Sequence, residues 1–192
     1  MEWFTSQVPI SDLLRWVEEQ ALEIQPDFQR REVWSKSAQI MLVDTILKNI
    51  PMPKLYIQSI NKGAKTHRKV IDGQQRIKAI LAFVRGEFSL ESPYEGTLAG
   101  AAFSDFPKEA RSAFLEYQLD VNEIRDASDA IIREIYSRVN RYNIALNKQE
   151  LRRADYPGDY LKLSEELALL DFFDDAKVFT IANRRRMGDV EY

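Results

Sequence analysis

An acid, a glycine, two amides and an arginine stand in a row at Asp72-Gly73-Gln74-Gln75-Arg76. That order suits anion chemistry. A glycine has no Cβ to obstruct close approach. If a helix begins just after it, the first peptide N–H groups lack intrahelical partners and the macrodipole favours negative charge there. Arg76 can grip an oxyanion through two parallel hydrogen bonds. The row reads as a phosphate site with an acid beside it. A plainer reading fits the same residues, because Asp-Gly is a common turn and Asp before a helix commonly serves as its N-cap. The five residues alone leave both open.

The flanking sequence supplies the elements such a site needs. Lys69–Ile71 carries β-branched residues and reads as the end of a buried strand. From Gln74 to Arg85, Ile77, Ile80, Leu81 and Val84 recur at helical spacing, and Gly86 follows as a C-cap. Asp72-Gly73 is thus predicted to be a tight strand-to-helix turn. Upstream, Leu55–Ile60 alternates as a second strand, joined to the first by the polar stretch Asn61–His67 as a hairpin. Gly63-Ala64-Lys65-Thr66 imitates the tail of a phosphate-binding P-loop, but it lacks the earlier glycine and lies in a hairpin.

Further helices follow from capping and periodicity. Ser11 is expected to cap one that carries Leu13, Leu14, Val17 and Ala21, and Ser37 begins another that ends before Pro51. Between them, Pro26 makes Ile24–Trp34 extended or irregular. Phe28 and Trp34 would anchor that loop and aim Arg30, or would be core aromatics with solvated arginines between them. Phe88–Leu90 suggests a short strand, Ser104–Tyr117 a helix with Pro107 in its first turn, and Gln118–Ile124 a strand. Ser128 caps the next helix, Asn147-Lys148-Gln149-Glu150 resembles a capping box, and Leu161–Phe173 is helical again.

Strands cluster early and helices dominate later. The fold class expected is α+β, a small mixed sheet with packed helices followed by a helical lobe. Residues 1–125 would form the core and 126–192 a helical extension of the same domain.

Composition removes several chemistries. With 45% apolar and 30% charged residues the chain is an ordinary globular protein. It has no cysteine, which excludes disulfides, thiolate metal sites and cysteine nucleophiles. The single histidine, His67, stands in a polar turn and cannot supply a multi-histidine metal nuclease site. No apolar run approaches the roughly 20 residues that span a bilayer, and Met1-Glu2-Trp3-Phe4 is not a secretory signal. No membrane partner and a cytoplasmic location are expected. A net charge of −3 does not suggest a nucleic-acid coat protein, although basic clusters remain at Arg30-Arg31, Arg152-Arg153 and Arg184–Arg186. Such clusters are also commonly solvated helix faces.

Taken together, four motifs in order resemble one family. They are Pro26 with Phe28-Gln29-Arg30 and Trp34; Ile71-Asp72-Gly73-Gln74-Gln75-Arg76; Arg138-Val139-Asn140; and Glu150-Leu151-Arg152 with Ala154. Nearly the whole chain resembles the N-terminal domain of GmrSD-type, modification-dependent restriction enzymes, whose core is similar to the ParB/sulfiredoxin fold. The resemblance implies that the Asp72–Arg76 stretch binds, and in some members hydrolyses, a nucleoside triphosphate in defence against foreign DNA. Sulfinic acid reduction, the chemistry of the sulfiredoxin branch, needs a cysteine that is absent. The histidine-rich HNH nuclease of full enzymes is absent too. The chain also stops soon after Arg184-Arg185-Arg186-Met187, where similar proteins continue. A partner nuclease, in a missing C-terminal part or a separate chain, is therefore implied.

On that resemblance the roles are as follows. Gly73 and the following N–H groups would cradle phosphates, and Arg76 would balance their charge. Asp72 would hold Mg²⁺ or orient the attacking water, which Gln74 or Gln75 would position. Arg30 would approach from the facing loop and converge with Arg76 on one pocket. The competing reading is a DNA-binding or DNA-modification-sensing module without turnover, with Arg31, Arg152, Arg153, Arg184, Arg185 and Arg186 as phosphate contacts.

Overall fold

A computed structural model describes residues 1–24, 34–63 and 65–142. Five strands form one mixed sheet in the order β1-β5-β3-β4-β2. They are β1 (Glu2–Pro9), β2 (Leu22–Glu23), β3 (Leu55–Lys62), β4 (Lys65–Asp72) and β5 (Gln118–Arg125). β1 is antiparallel to β5, β5 parallel to β3, β3 antiparallel to β4, and β4 parallel to β2. The helices are α1 (Ile10–Glu18), α2 (Lys36–Leu47), α3 (Gln74–Val84), α4 (Lys108–Glu116) and α5 (Asp129–Tyr142). An α+β fold with a mixed sheet and packed helices is therefore present, as the sequence indicates.

The alternation of side chains along a strand assigns two faces. Leu55 and Ile57 of β3, Val70 of β4, and Leu119 and Val121 of β5 turn to one face, where they join Ile40, Val43 and Ile46 of α2 and Ile77, Ile80 and Phe83 of α3 in the main core. Phe83 is fully buried among the rings of Phe88, Phe103, Phe106 and Phe114. Ile71 and Ile124 turn to the opposite face and pack with Ile132 of α5.

A first compact unit runs Met1–Val139 and a second Asn140–Tyr192. Within the first, α5 lays Ile132 against Ile71 and Ile124 of the sheet. The capping box at Asn147–Glu150 and the helix at Leu161–Phe173 lie outside the described residues.

Several local expectations change. Pro9, not Ser11, precedes the first helical residue, and no side chain caps α1. The expected Ser104–Tyr117 helix is split. Residues Phe103–Asp105 make one 3₁₀ turn and α4 starts only after Pro107, whose missing N–H suits a helix start. Phe88–Leu90 is not a strand; Phe88 and Leu90 are buried in the main core instead. β1 and β2 have no counterpart among the strands expected from sequence.

Candidate functional site

The turn between β4 and α3 is built on glycine for two separate reasons. Gly73 is the N-cap of α3 at φ 95°, in the left-handed region that side-chain-bearing residues resist. A Cβ there would also collide with Leu55 Cδ2 and lie 3.2 Å from Arg76 Nη2. Just before the turn, the β3–β4 register shifts, with Tyr56 opposite Asp72 but Ile57 opposite Val70. Such a bulge re-aims the strand end. Asp72 is not the helix cap.

Arg76 folds back across Gly73, as side chains in a first helical turn lean toward the N-terminus. It donates from Nη1 to the Pro53 carbonyl, and from Nη2 to the Lys54 carbonyl at 3.2 Å and to Asp72 Oδ2 at 2.9 Å. Its side chain is only 10% exposed and that of Asp72 18%. Burial pulls the arginine's pKa down, and the adjacent Asp72 carboxylate opposes that shift. The guanidinium thus ties the start of β3 to the motif turn.

Gln75 lies on another side of α3. Its Oε1 accepts from the Trp34 backbone N–H at 3.3 Å, while the Trp34 carbonyl accepts from Gln39 Nε2 at 3.2 Å. The backbone of one residue therefore links the first turns of α2 and α3. Between the two helices is a cleft of about 430 Å³. Its polar lining is Lys36 and Gln39 of α2, Gln75, Lys78 and Arg85 along or just past α3, and Glu87. Neither helix has an acidic residue in its first turn. Residues from the first turns of both helices and from the C-terminal end of α3 line it, and three cations against one acid make this cleft suited to an anion.

A family model for the GmrSD restriction endonuclease, N-terminal domain, matches residues 10–157. The chain belongs to that family. No curated protein matches the sequence. Among solved structures, this GmrSD N-terminal domain is similar to the C-terminally truncated chromosome-partitioning protein ParB from Caulobacter crescentus, complexed with CTP-gamma-S. The identity is 16% and the TM-score 0.45, over 85% of this chain. This chain spans 64% of the length of that one.

The structure of this GmrSD N-terminal domain divides the motif that the sequence presents as a single row. Asp72, Gly73 and Arg76 form the braced turn, and Gln75 faces the α2–α3 cleft. Gln74 is buried, and its Nε2 has no hydrogen-bond partner among the described residues. Arg30 and its convergence with Arg76 lie outside the described residues, as do Arg31, Arg152, Arg153, Arg184, Arg185 and Arg186. Lys36, Gln39, Lys78 and Arg85 belong to none of the motifs legible in the sequence. The signal was present in part, since Gln75, Lys78, Ala82 and Arg85 follow the three-and-four spacing of one helix stripe. That α2 would face this stripe is a tertiary fact.

Proposed function

We propose that the α2–α3 cleft binds a nucleoside triphosphate through its phosphates. We also propose that this domain thereby regulates a partner nuclease in a cytoplasmic DNA-restriction system. The observation that carries the reading is the gathering of the cations Lys36, Lys78 and Arg85, with Gln39 and Gln75, on one cleft. Its volume lies in the range of small-molecule sites, roughly 300–1,000 Å³. Family membership supports the restriction setting.

In this reading Lys36 and Lys78 neutralise phosphate charge, and Gln39 and Gln75 supply directional hydrogen bonds. The N–H groups of the first turn of α3 add donors at the end held by Gly73. Arg76 acts as a positioning residue that holds the turn.

Mg²⁺ would enter with the nucleotide. Among the described residues no group of three His, Cys, Asp or Glu side chains could hold a metal ion. Asp72 offers one carboxylate, and the donor set fits Mg²⁺ when phosphates complete the shell. Asp72 does not itself line the cleft; it would hold the ion through the carboxylate that Arg76 braces at 2.9 Å. The bound ion would supply charge neutralisation there.

The test is thermal stabilisation by each of the four NTPs, with and without Mg²⁺. A ligand at 100 times its dissociation constant adds about 2.7 kcal/mol. The double variant Lys36→Ala/Lys78→Ala should lose that shift while its unliganded melting temperature stays unchanged. No shift with any NTP, or a shift that survives the double variant, would sink the proposal. Stabilisation by DNA alone would assign the cleft to nucleic-acid phosphates instead.

A further inference from the structure

At the far edge of the sheet from β2, β1 pairs only with β5 among the described residues. Its register runs without a break from Glu2 opposite Arg125 to Pro9 opposite Gln118. The direction of its peptide groups follows from one bond beyond the strand, Ile10 N–H to the Tyr117 carbonyl at 3.2 Å. Hydrogen-bonded pairs alternate along an antiparallel ladder. Glu2, Phe4, Ser6 and Val8 therefore turn their N–H and C=O groups toward β5, and Trp3, Thr5 and Gln7 turn theirs to the open edge. The side-chain bonds agree. Thr5 donates to Asn122 at 2.8 Å and Gln7 to Asp120 at 3.3 Å, both in the non-hydrogen-bonded pairs where side chains lie closer.

Among the described residues, this edge has none of the usual protection. Natural edges are blunted by lysines, bulges, short length or a mid-strand proline. β1 has eight residues with Glu2 as its only charge, and its proline is the last residue. Trp3 is 62% exposed on one face of the sheet and Phe4 38% on the other.

We infer that this edge pairs, antiparallel, with β1 of a second copy of the chain, joining two five-stranded sheets into one. The occupant follows from self-complementarity. A two-fold axis perpendicular to the sheet keeps each copy's faces in common, so a residue must meet one of its own parity. With the axis between the two Thr5 residues, Thr5 meets Thr5 and Trp3 meets Gln7 of the second copy. Every edge-facing peptide group from Trp3 to Gln7 then has a partner. Pro9, which has no N–H to offer, bounds the ladder. Glu2 falls opposite Val8, and the two Glu2 carboxylates lie at opposite ends, so no like charges meet.

The full chain, sedimented over a concentration series, should dimerise. Trp3→Lys, at an exposed position, should be monomeric. The chain has no cysteine, so Thr5→Cys tests the register directly. Opposed Cα atoms in a hydrogen-bonded pair are about 5.5 Å apart, within disulfide reach. Diamide should cross-link Thr5→Cys as a dimer and leave the exposed control Ser112→Cys monomeric. A wild-type monomer at every concentration, a dimer indifferent to Trp3→Lys, or cross-linking of Thr5→Cys no greater than the control would each overturn the inference.

Discussion

Arg76→Ala separates two views of the motif arginine. If Arg76 is a phosphate ligand, its loss should abolish nucleotide binding and leave the fold intact. The structure predicts damage to the fold. The truncation removes an ion pair at 2.9 Å and donors to the Pro53 and Lys54 carbonyls. Hydrogen bonds to charged groups contribute about 1.5–3 kcal/mol each, which would sum to more than 4. Asp72 is 18% exposed and water can reach it, which discounts that sum. Breaking a buried pair by removing one partner costs about 3–5 kcal/mol, and the lower half of that range fits this site. At about 2–4 °C per kcal/mol for a domain of this size, the melting temperature should fall by roughly 6–16 °C. Arg76→Lys keeps the charge but not the fork, so it should recover only part of the loss. Circular dichroism during heating and urea titration measures both variants. An Arg76→Ala protein within about 0.5 kcal/mol of wild type that no longer binds NTPs would refute the brace and restore the ligand role.

Three other perturbations follow from the same structure. Gly73→Ala should cost about 2–5 kcal/mol, from left-handed strain of about 1–2 and crowding against Leu55 of about 1–3; unchanged urea stability would contradict the φ of 95°. Phe83→Ala opens a cavity among four phenylalanine rings and should lose about 3–5 kcal/mol by chemical denaturation, so a loss below 1 would mean that the cluster can collapse. The Tyr117 hydroxyl donates to the Ile50 carbonyl at 2.7 Å, and burial raises its pKa. The folded form therefore holds that proton above the unfolded value of about 10; stability from this group is complete below that pH and declines as pH rises through the folded pKa, a decline that Tyr117→Phe should weaken.

What could be read along the chain was whatever depends on neighbours in sequence. The change from strand to helix at Asp72-Gly73 is one case, since Ile77, Ile80 and Leu81 repeat at helical spacing and all three are buried. The Leu55–Ile60 and Gln118–Ile124 alternations are others, because one face of each strand meets a continuous core. β1 could not be read this way. Its first four residues are exposed on both faces, so the strand carries no alternation, and only pairing with β5 more than a hundred residues away defines it.

The candidate site divides along the same line. Sequence alone determined that a glycine turn with an acid, two amides and an arginine opens a helix, because those are local backbone and side-chain preferences. Which way each residue points was decided by tertiary structure. Consecutive helical positions turn about 100° apart. That rotation, set against the fixed neighbours of α3, buries Arg76 on the Pro53 and Lys54 carbonyls and leaves Gln75 facing α2. Lys36 and Gln39 come to the same cleft from about forty residues earlier in the chain, through packing of two apolar helix faces that local spacing does not encode.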